Sequence, residues 1–404
     1  MPHTILLYGA TGYSGELIAA EAARMRDADA QAGKEFVWIL AARNGERVAE
    51  LARTHEMDFR VFGLDWRPDV STGLRGVDVV VNAAGPFAWT ADRIAKTALE
   101  VGCCYVDING EADVYRTLDD LGRTARQRQL AMVCGAGHTA GASDLLLEAA
   151  LQELESEGTK ADELELGAVR IAMSGVGHLS RGSAETLWRS MREQVTVVRR
   201  TDPRKGRRRL ALWHEPVGRR ERTFDFRVRE SGAGEAEPDR RIASAANLVD
   251  TLTARLTLDR HRVRLSSIES YVETNAASRV AYQLGALFAP IAATRWASAL
   301  ARAQIGLLPN GPSPDQLSSE RHIVLLQIED AAYTPVLDWR LETPDVYQLT
   351  AQVAVAAAKA VVERTQGWLT PAEVLGPLAV PFDAGPMRGC RLDRRIPRFQ
   401  AGRT

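Results

Sequence analysis

Apolar and polar positions follow two different rhythms along this chain. Up to residue 134 the apolar positions come in short solid runs. These are Thr4-Ile5-Leu6-Leu7-Tyr8, Phe36-Val37-Trp38-Ile39-Leu40-Ala41-Ala42, a short run ending Val61-Phe62-Gly63-Leu64-Asp65, Val77-Asp78-Val79-Val80-Val81, Cys104-Tyr105-Val106-Asp107-Ile108 and Ala131-Met132-Val133-Cys134. Runs of this length read as parallel strands buried on both faces. Between them Glu16 to Met25, Glu46 to Arg53, Thr90 to Val101 and a stretch reaching about Gln129 carry helical stripes. Regular alternation of strand and helix predicts an α/β domain with a doubly wound parallel sheet, the Rossmann type.

From about Glu163 the rhythm changes. Glu165 to Met173 and Leu210 to Arg229 alternate polar and apolar positions, which predicts strands of a half-exposed antiparallel sheet. Ser183 to Val198 and Asp239 to Arg255 read as helices, and Arg321 to Glu329 with Tyr333 to Glu342 as a final strand pair. Tyr347 to Arg364 is a helix apolar on all sides, so it is expected to be buried. The arginine-rich tail after Arg388 reads as loosely held.

Composition narrows the function classes. At 404 residues the chain has room for two or three domains. A formal net charge of −1 gives no general pull towards nucleic acid or membrane. Of 51 basic residues only five are lysines, a bias we read as coding composition before function. The N-terminus shows no basic segment followed by an apolar core, so no signal peptide is expected and the compartment expected is the cytoplasm. Cys103, Cys104, Cys134 and Cys390 form no disulfide framework and lack metal-ligand spacing, so they are expected to be reduced and structural, with no metal bound.

The chemistry points to one loop. Gly9-Ala10-Thr11-Gly12-Tyr13-Ser14-Gly15 stands between the first strand and the first helix. In that context Gly9 permits the tight turn, Gly12 lets backbone approach a pyrophosphate, and Gly15 lets helix and strand pack closely. The helix N-terminus then supplies free N–H groups and a favourable dipole, so a dinucleotide is the expected ligand, with Thr11, Tyr13 and Ser14 beside it. Arg43-Asn44 ends the second strand where a carboxylate would bind the 2′-hydroxyl of NAD, and an arginine there suits the 2′-phosphate of NADP(H). The bland reading of Arg43 is a solvated loop charge. Asp65 is placed to face the adenine. Asn82-Ala83-Ala84-Gly85-Pro86-Phe87 follows the fourth strand as a small-residue loop, where cofactors lie in such sheets, so Asn82, Ala84, Gly85, Pro86 and Phe87 join the cofactor set.

Two further stretches leave alternatives open. Residues 199 to 222 are strongly basic, which fits either a solvated hairpin tip or a dock for an acidic partner. Residues 280 to 293 are apolar but too short to span a bilayer; a buried helix pair, a lid over a greasy substrate or a peripheral membrane contact would each account for them.

With these pieces in place the chain resembles the saccharopine dehydrogenase-like oxidoreductases, nearest the branch of trans-acting enoyl reductases. The residues that carry the likeness are the glycine loop, Ala42-Arg43-Asn44, Asn82 to Phe87, Tyr105-Val106-Asp107-Ile108-Asn109-Gly110-Glu111, Gly311-Pro312-Ser313, Tyr347-Gln348-Leu349-Thr350-Ala351 and Gly367-Trp368-Leu369-Thr370-Pro371-Ala372. The resemblance implies an NADP-binding Rossmann domain over 1–145, an inserted α+β substrate or dimerisation domain on a mainly antiparallel sheet over 146–344, and a C-terminal helix and tail over 345–404 returning to the first domain. It further implies hydride transfer from NADPH to an enoyl C=C or an imine C=N bond of a metabolite or carrier-bound acyl group, with a homodimer left open. The alternative class is a catalytically silent NADP sensor or regulatory subunit. One departure stands out. Where the family reads Gly-Phe-Asp-Ser-x-Pro-Ser-Asp, this chain reads Gly135-Ala136-Gly137-His138-Thr139-Ala140-Gly141-Ala142-Ser143-Asp144, about two residues longer. His138 is thereby a candidate proton donor, with Glu111 or Asp144 as orienting partner and Tyr13 as a substitute donor; a helix cap or a loop hydrogen bond is its structural alternative.

Overall fold

The computed structural model describes residues 2–156, 165–190, 194–200, 210–216, 219–228, 237–280, 299, 303–363, 366–376 and 387–395. These residues divide between two compact units. The first comprises Met1–Gly141 and Val346–Gly376, with Met387 and Arg388, and the second comprises Ala142–Asp345 and the tail from Gly389.

The first unit is a seven-stranded parallel sheet. Its strands are β1 (His3–Tyr8), β2 (Phe36–Ala42), β3 (Asp58–Val61), β4 (Val79–Asn82), β5 (Cys104–Asp107), β6 (Ala131–Val133) and a late β15 (Gly367–Leu369), in the order β15-β6-β5-β4-β1-β2-β3. Ile5, Leu6 and Leu7 are wholly buried, as are Val79, Val80 and Val81, because helices cover both faces. Those helices are α1 (Tyr13–Gln31), α2 (Gly45–His55), α3 (Arg67–Gly73), α4 (Phe87–Val101), α5 (Ala112–Asp119) and α6 (Leu121–Gln127). The single helix expected up to Gln129 is therefore two, broken at Asp120. The apolar helix Val346–Glu363 packs on α1 and against β4 and β5, and the Lys359 ammonium meets the Asp29 carboxylate there. The boundary between the units falls inside α7 (His138–Ser156), four residues before the position expected from sequence.

The second unit is built on a mixed nine-stranded sheet. Its strands are β7 (Glu165–Met173), β8 (Gln194–Arg200), β9 (Leu210–Pro216), β10 (Glu221–Asp225), β11 (Arg240–Ala245), β12 (Arg264–Glu273), β13 (His322–Asp330), β14 (Pro335–Thr343) and β16 (Arg391–Arg395). β7 and β12 run parallel and the other pairs run antiparallel. Helices α8 (Arg181–Ser190) and α9 (Asp250–Arg260) belong to this unit.

Several expectations change here. β7 is not half-exposed: eight of its nine residues are buried between β12 and β13. Its polar member Arg170 is tolerated there because Glu269 lies 3.2 Å away and Glu329 also meets its guanidinium. The helix expected over 183–198 stops at Ser190, and the β-branched run Val195-Thr196-Val197-Val198 is strand β8. The helix expected over 239–255 divides into strand β11 and helix α9. In the tail, Arg391–Arg395 pairs with β14 and so joins the second sheet rather than the first unit.

Of the basic stretch, residues 201–209 and 217–218 lie outside the described residues. Its flanks pair as an antiparallel hairpin from Gln194↔Pro216 to Arg200↔Leu210. Arg199 and Arg220 meet Glu215, and Arg222 meets Glu329, so these three charges serve ion pairs within the unit. The apolar run 281–293 and the last residues from 396 also lie outside the described residues. Among the described residues no helix is long and apolar enough to cross a membrane.

Candidate functional site

Strand order reverses between β1 and β4, the switch point at whose carboxyl end open α/β sheets take their ligands. Gly9 begins the first loop at φ +85°, in the left-handed region that suits glycine. The N–H groups of Gly9 and Ala10 both donate to the Ala41 carbonyl, at 2.9 and 3.1 Å, and the Gly12 N–H donates to Gly9 O at 3.0 Å. A Cβ on Gly9 would lie 2.7 Å from the Ala84 nitrogen, which places the β1 and β4 loops in direct contact. A Cβ on Gly15 would lie 2.2 Å from Gly9 O, so helix α1 can start where it does only with glycine there. Gly12 is the N-cap of α1, it is exposed, and no side chain caps the helix. The positive end of the α1 dipole is thus presented at the switch point beside half-buried Thr11, Tyr13 and Ser14. The Tyr13 ring packs edge-on against Tyr347, with centroids 5.0 Å apart.

Arg43 is exposed at the end of β2. Asn44 is committed to structure: its Oδ1 accepts the Arg47 N–H at 3.0 Å and caps α2. That cap swings Arg47 towards the glycine loop, where its guanidinium donates to Thr11 O at 3.0 Å and meets Glu16 at 3.2 Å. Arg47 is a site residue the sequence pattern did not single out, although an asparagine cap three residues earlier is a visible signal for its position. Arg43 and Asp65 act on the same buried hydroxyl, that of Tyr8, which donates to Phe62 O at 3.3 Å. Burial pushes the Tyr8 hydroxyl up to about 12, with Arg43 drawing it down and Asp65 pushing it further up. The rim around the glycine loop therefore carries two guanidinium groups and two carboxylates, Asp65 and the Glu16 that pairs with Arg47.

The β4 loop is held from beneath. Asn82 is fully buried; its amide donates to Thr90 Oγ1 at 3.3 Å and to Tyr105 OH at 3.2 Å, and its Oδ1 accepts the Ala84 N–H at 3.0 Å. Thr90 Oγ1 in turn donates to Ala84 O at 2.6 Å. Asn82 thus spends its amide on shaping the loop, while half-buried Ala84, Pro86 and Phe87 and exposed Gly85 form its surface. The Gly85–Pro86 bond is cis.

The chain of polar groups continues into the next two loops. Tyr105 OH donates to Asp107 Oδ2 at 2.9 Å, and Asp107 Oδ1 accepts the N–H groups of Asn109 at 3.0 Å and Gly135 at 2.9 Å. Asp107 has no exposed surface. Burial raises its carboxyl above the usual carboxylate range, opposed by the Gly135 and Asn109 N–H groups, the Tyr105 hydroxyl and the Cys134 thiol. Asn109 bonds both the N–H and the carbonyl of Glu111, at 2.8 and 3.0 Å. Glu111, at the start of α5, and His138, at the start of α7, are both buried. The His138 N–H donates to Thr350 Oγ1 at 3.0 Å, which ties the 135–138 turn to the Val346–Glu363 helix. One network thus fixes the loops that carry Ala84, Glu111 and His138. Asp144 lies apart from it, on α7 in the second unit, where its Oδ1 accepts from Thr257 Oγ1 at 2.5 Å.

A Cβ-free glycine turn, an uncapped helix N-terminus and flanking guanidinium groups fit the diphosphate and 2′-phosphate of a dinucleotide. Residues 5–139 match the family described as saccharopine dehydrogenase NADP binding domain. Among curated proteins, the saccharopine dehydrogenase-like oxidoreductases of Homo sapiens and Mus musculus are 25% and 22% identical over 121 residues. The match covers 27% of this chain and spans 28% of each relative's length. Among solved structures, apo saccharopine dehydrogenase (L-Glu forming) from Saccharomyces cerevisiae superposes with a TM-score of 0.58 at 12% identity, over 98% of this chain and 100% of that one. Homospermidine synthase from Legionella pneumophila in complex with NAD gives 0.54 at 10% identity, over 93% and 87%. At these identities the structural likeness is one of fold.

Proposed function

We propose, from a first unit that carries a saccharopine dehydrogenase NADP-binding domain, that this chain is an NADPH-dependent oxidoreductase delivering hydride to a polarised C=N or C=C bond. The observation that carries the reading is the uncapped α1 N-terminus flanked by Arg43 and Arg47, with no carboxylate at the end of β2. Gly12, Tyr13 and Ser14 would hold the pyrophosphate, the two arginines the 2′-phosphate, and the Ala84–Phe87 loop the nicotinamide side. The reduced nicotinamide supplies the hydride; this chain supplies orientation, electrostatics and the proton.

His138 is the group we assign as proton donor to the atom that becomes negative, with Glu111 on the neighbouring loop setting its orientation. Both stand on turns locked by the Asp107 network, so their positions are fixed before any ligand arrives. The substrate is a metabolite or a carrier-bound acyl group. The structural relatives are consistent with this reading: one is a saccharopine dehydrogenase and the other, a homospermidine synthase, holds NAD on this fold.

Fluorescence titration with NADPH and NADH tests the cofactor reading. A charge-assisted contact to phosphate is worth about 1.5–3 kcal/mol, so NADPH is expected to bind about ten- to a hundredfold more tightly, and Arg43→Asp to erase or invert the preference. Equal dissociation constants in the unmutated protein would sink it. NADPH oxidation in the presence of a panel of imines and enoyl thioesters tests the enzyme reading, because a cofactor-binding sensor reduces none of them and leaves NADPH unoxidised.

A further inference from the structure

Three segments of the second unit converge at one end of its sheet. β7 runs out through Ser174 to His178, β13 begins at His322 just after Glu320, and β14 ends at Thr343 shortly before Asp345. The strands are neighbours, with His322 opposite Thr343, and the Ser174 N–H donates to Ile323 O at 2.9 Å. The convergence brings together two imidazoles and two carboxylates that are far apart in sequence. Ligand atoms of Glu320, His322 and Asp345 all lie within 4.8 Å of one another. His322 Nε2 stands 3.4 Å from Glu320 Oε2, and His178 Nδ1 contacts the other oxygen, Oε1. His322 and Asp345 are buried, at 3% and 0% exposure, while half of the His178 side chain faces solvent.

We propose that His178, Glu320, His322 and Asp345 bind a divalent transition-metal cation, with Zn²⁺ the preferred ion. The charge argues for it. The Glu320 carboxylate meets two imidazoles and no lysine or arginine among the described residues, a setting that favours a cation. Donor chemistry selects the class: mixed imidazole and carboxylate suits Zn²⁺, Mn²⁺ or Fe²⁺, whereas Ca²⁺ and Mg²⁺ take oxygen donors. The dimensions agree. With metal–ligand bonds of about 2.0–2.2 Å, donor atoms around a tetrahedral zinc stand about 3.4 Å apart, the separation already held by Glu320 and His322. Asp345, just past the end of β14, belongs to the same 4.8 Å cluster of ligand atoms, and the half-exposed His178 ring adjoins it through the second Glu320 oxygen.

The test is a Zn²⁺ titration of the EDTA-treated, dialysed full chain against a chromophoric chelator, with NADPH affinity measured in parallel. One Zn²⁺ per chain is expected, with at least tenfold weaker binding in His322→Gln and in Asp345→Asn and an unchanged NADPH dissociation constant in both. Should either variant fail to fold by circular dichroism, the half-exposed His178→Ala serves in its place and is also expected to weaken binding at least tenfold. No stoichiometric Zn²⁺, or zinc affinity unchanged in folded variants, would overturn the site. Because NADPH binding belongs to the first unit, failure of this proposal is separable from failure of the cofactor reading.

Discussion

Asp250 gives a test that depends on no ligand. Its carboxyl begins α9 with no exposed surface, bonded to Ser143 Oγ through Oδ1, while Oδ2 is buried with no hydrogen-bond partner. Burial raises its pKa from 3.8 to about 6; the Ser143 hydrogen bond lowers it and neighbouring Asp144 raises it. The folded chain therefore holds this proton more tightly than the unfolded one. Between about pH 4 and 6 the native state binds more protons, so stability contributed here falls as pH rises through that window and stays level above it. A shift of about two units corresponds to ~3 kcal/mol, order of magnitude. Asp250→Asn removes the titration and keeps the acceptor for Ser143, at the cost of an amide N–H where Oδ2 has no partner, about 1–3 kcal/mol. The absolute effect at pH 7 is thus small by cancellation, but the pH dependence is not. Urea unfolding at pH 4.5 and 7.0, followed for each transition separately, should show the variant gaining ~2–3 kcal/mol on the parent between the two pH values. Carboxylates with no coupling to Asp250 contribute equally to both proteins and drop out of the difference, leaving Asp250 and its interaction with Asp144. A stability difference that is the same at both pH values would refute the assignment of a raised carboxyl to Asp250.

Two further outcomes are expected in the first unit. Gly15→Ala places a Cβ 2.2 Å from Gly9 O, a backbone atom that cannot rotate away; thermal denaturation should show a loss of about 1–3 kcal/mol, and titration an NADPH affinity at least tenfold weaker. His138→Ala should leave NADPH affinity intact and lower turnover by ~10²–10⁴, and turnover within a few-fold of the parent would remove His138 from the chemistry.

The two units differ in how much of them was legible. The parallel sheet announces itself because most of its strands, such as β1, β2 and β4, are continuous apolar runs followed within three residues by a glycine. The second sheet hides its center. β7 reads as half-exposed because Arg170 breaks its apolar run, yet the carboxylates that neutralise Arg170 sit on β12 and β13, at Glu269 and Glu329. Polarity at one position cannot disclose a partner a hundred residues away. The same holds for the tail, where Arg395 meets Asp225 at 2.6 Å and Arg391 meets Glu342 at 3.0 Å. A basic segment that reads as loosely held is in fact an edge strand secured by ion pairs. The misread helix over 194–198 is a different case: Val195-Thr196-Val197-Val198 carried a strand signal that the helical pattern before it obscured.

At the candidate site the same division separates what touches a ligand from what supports it. The groups proposed to meet phosphate are backbone N–H groups and glycines in one contiguous loop, so seven residues of sequence suffice to find them. The supports are long-range. Tyr105 reaches Asn82 across 23 residues, Gly135 reaches Asp107 across 28, and Thr350 reaches His138 across 212. Each of these bonds is buried, and a buried polar group left unpaired costs about 1–3 kcal/mol, so the loops have little freedom to re-form around other partners. Asn82 belongs with the supports for this reason, although its place in the loop sequence suggested a ligand contact. The position of His138, the proposed proton donor, is then decided less by its own loop, which departs from the resembled family, than by the Asp107 network beneath it. A chain with a longer loop can keep the geometry so long as Asp107 still holds Gly135 and Asn109, which makes Asp107, invisible as a site residue in sequence, the residue on which the arrangement depends.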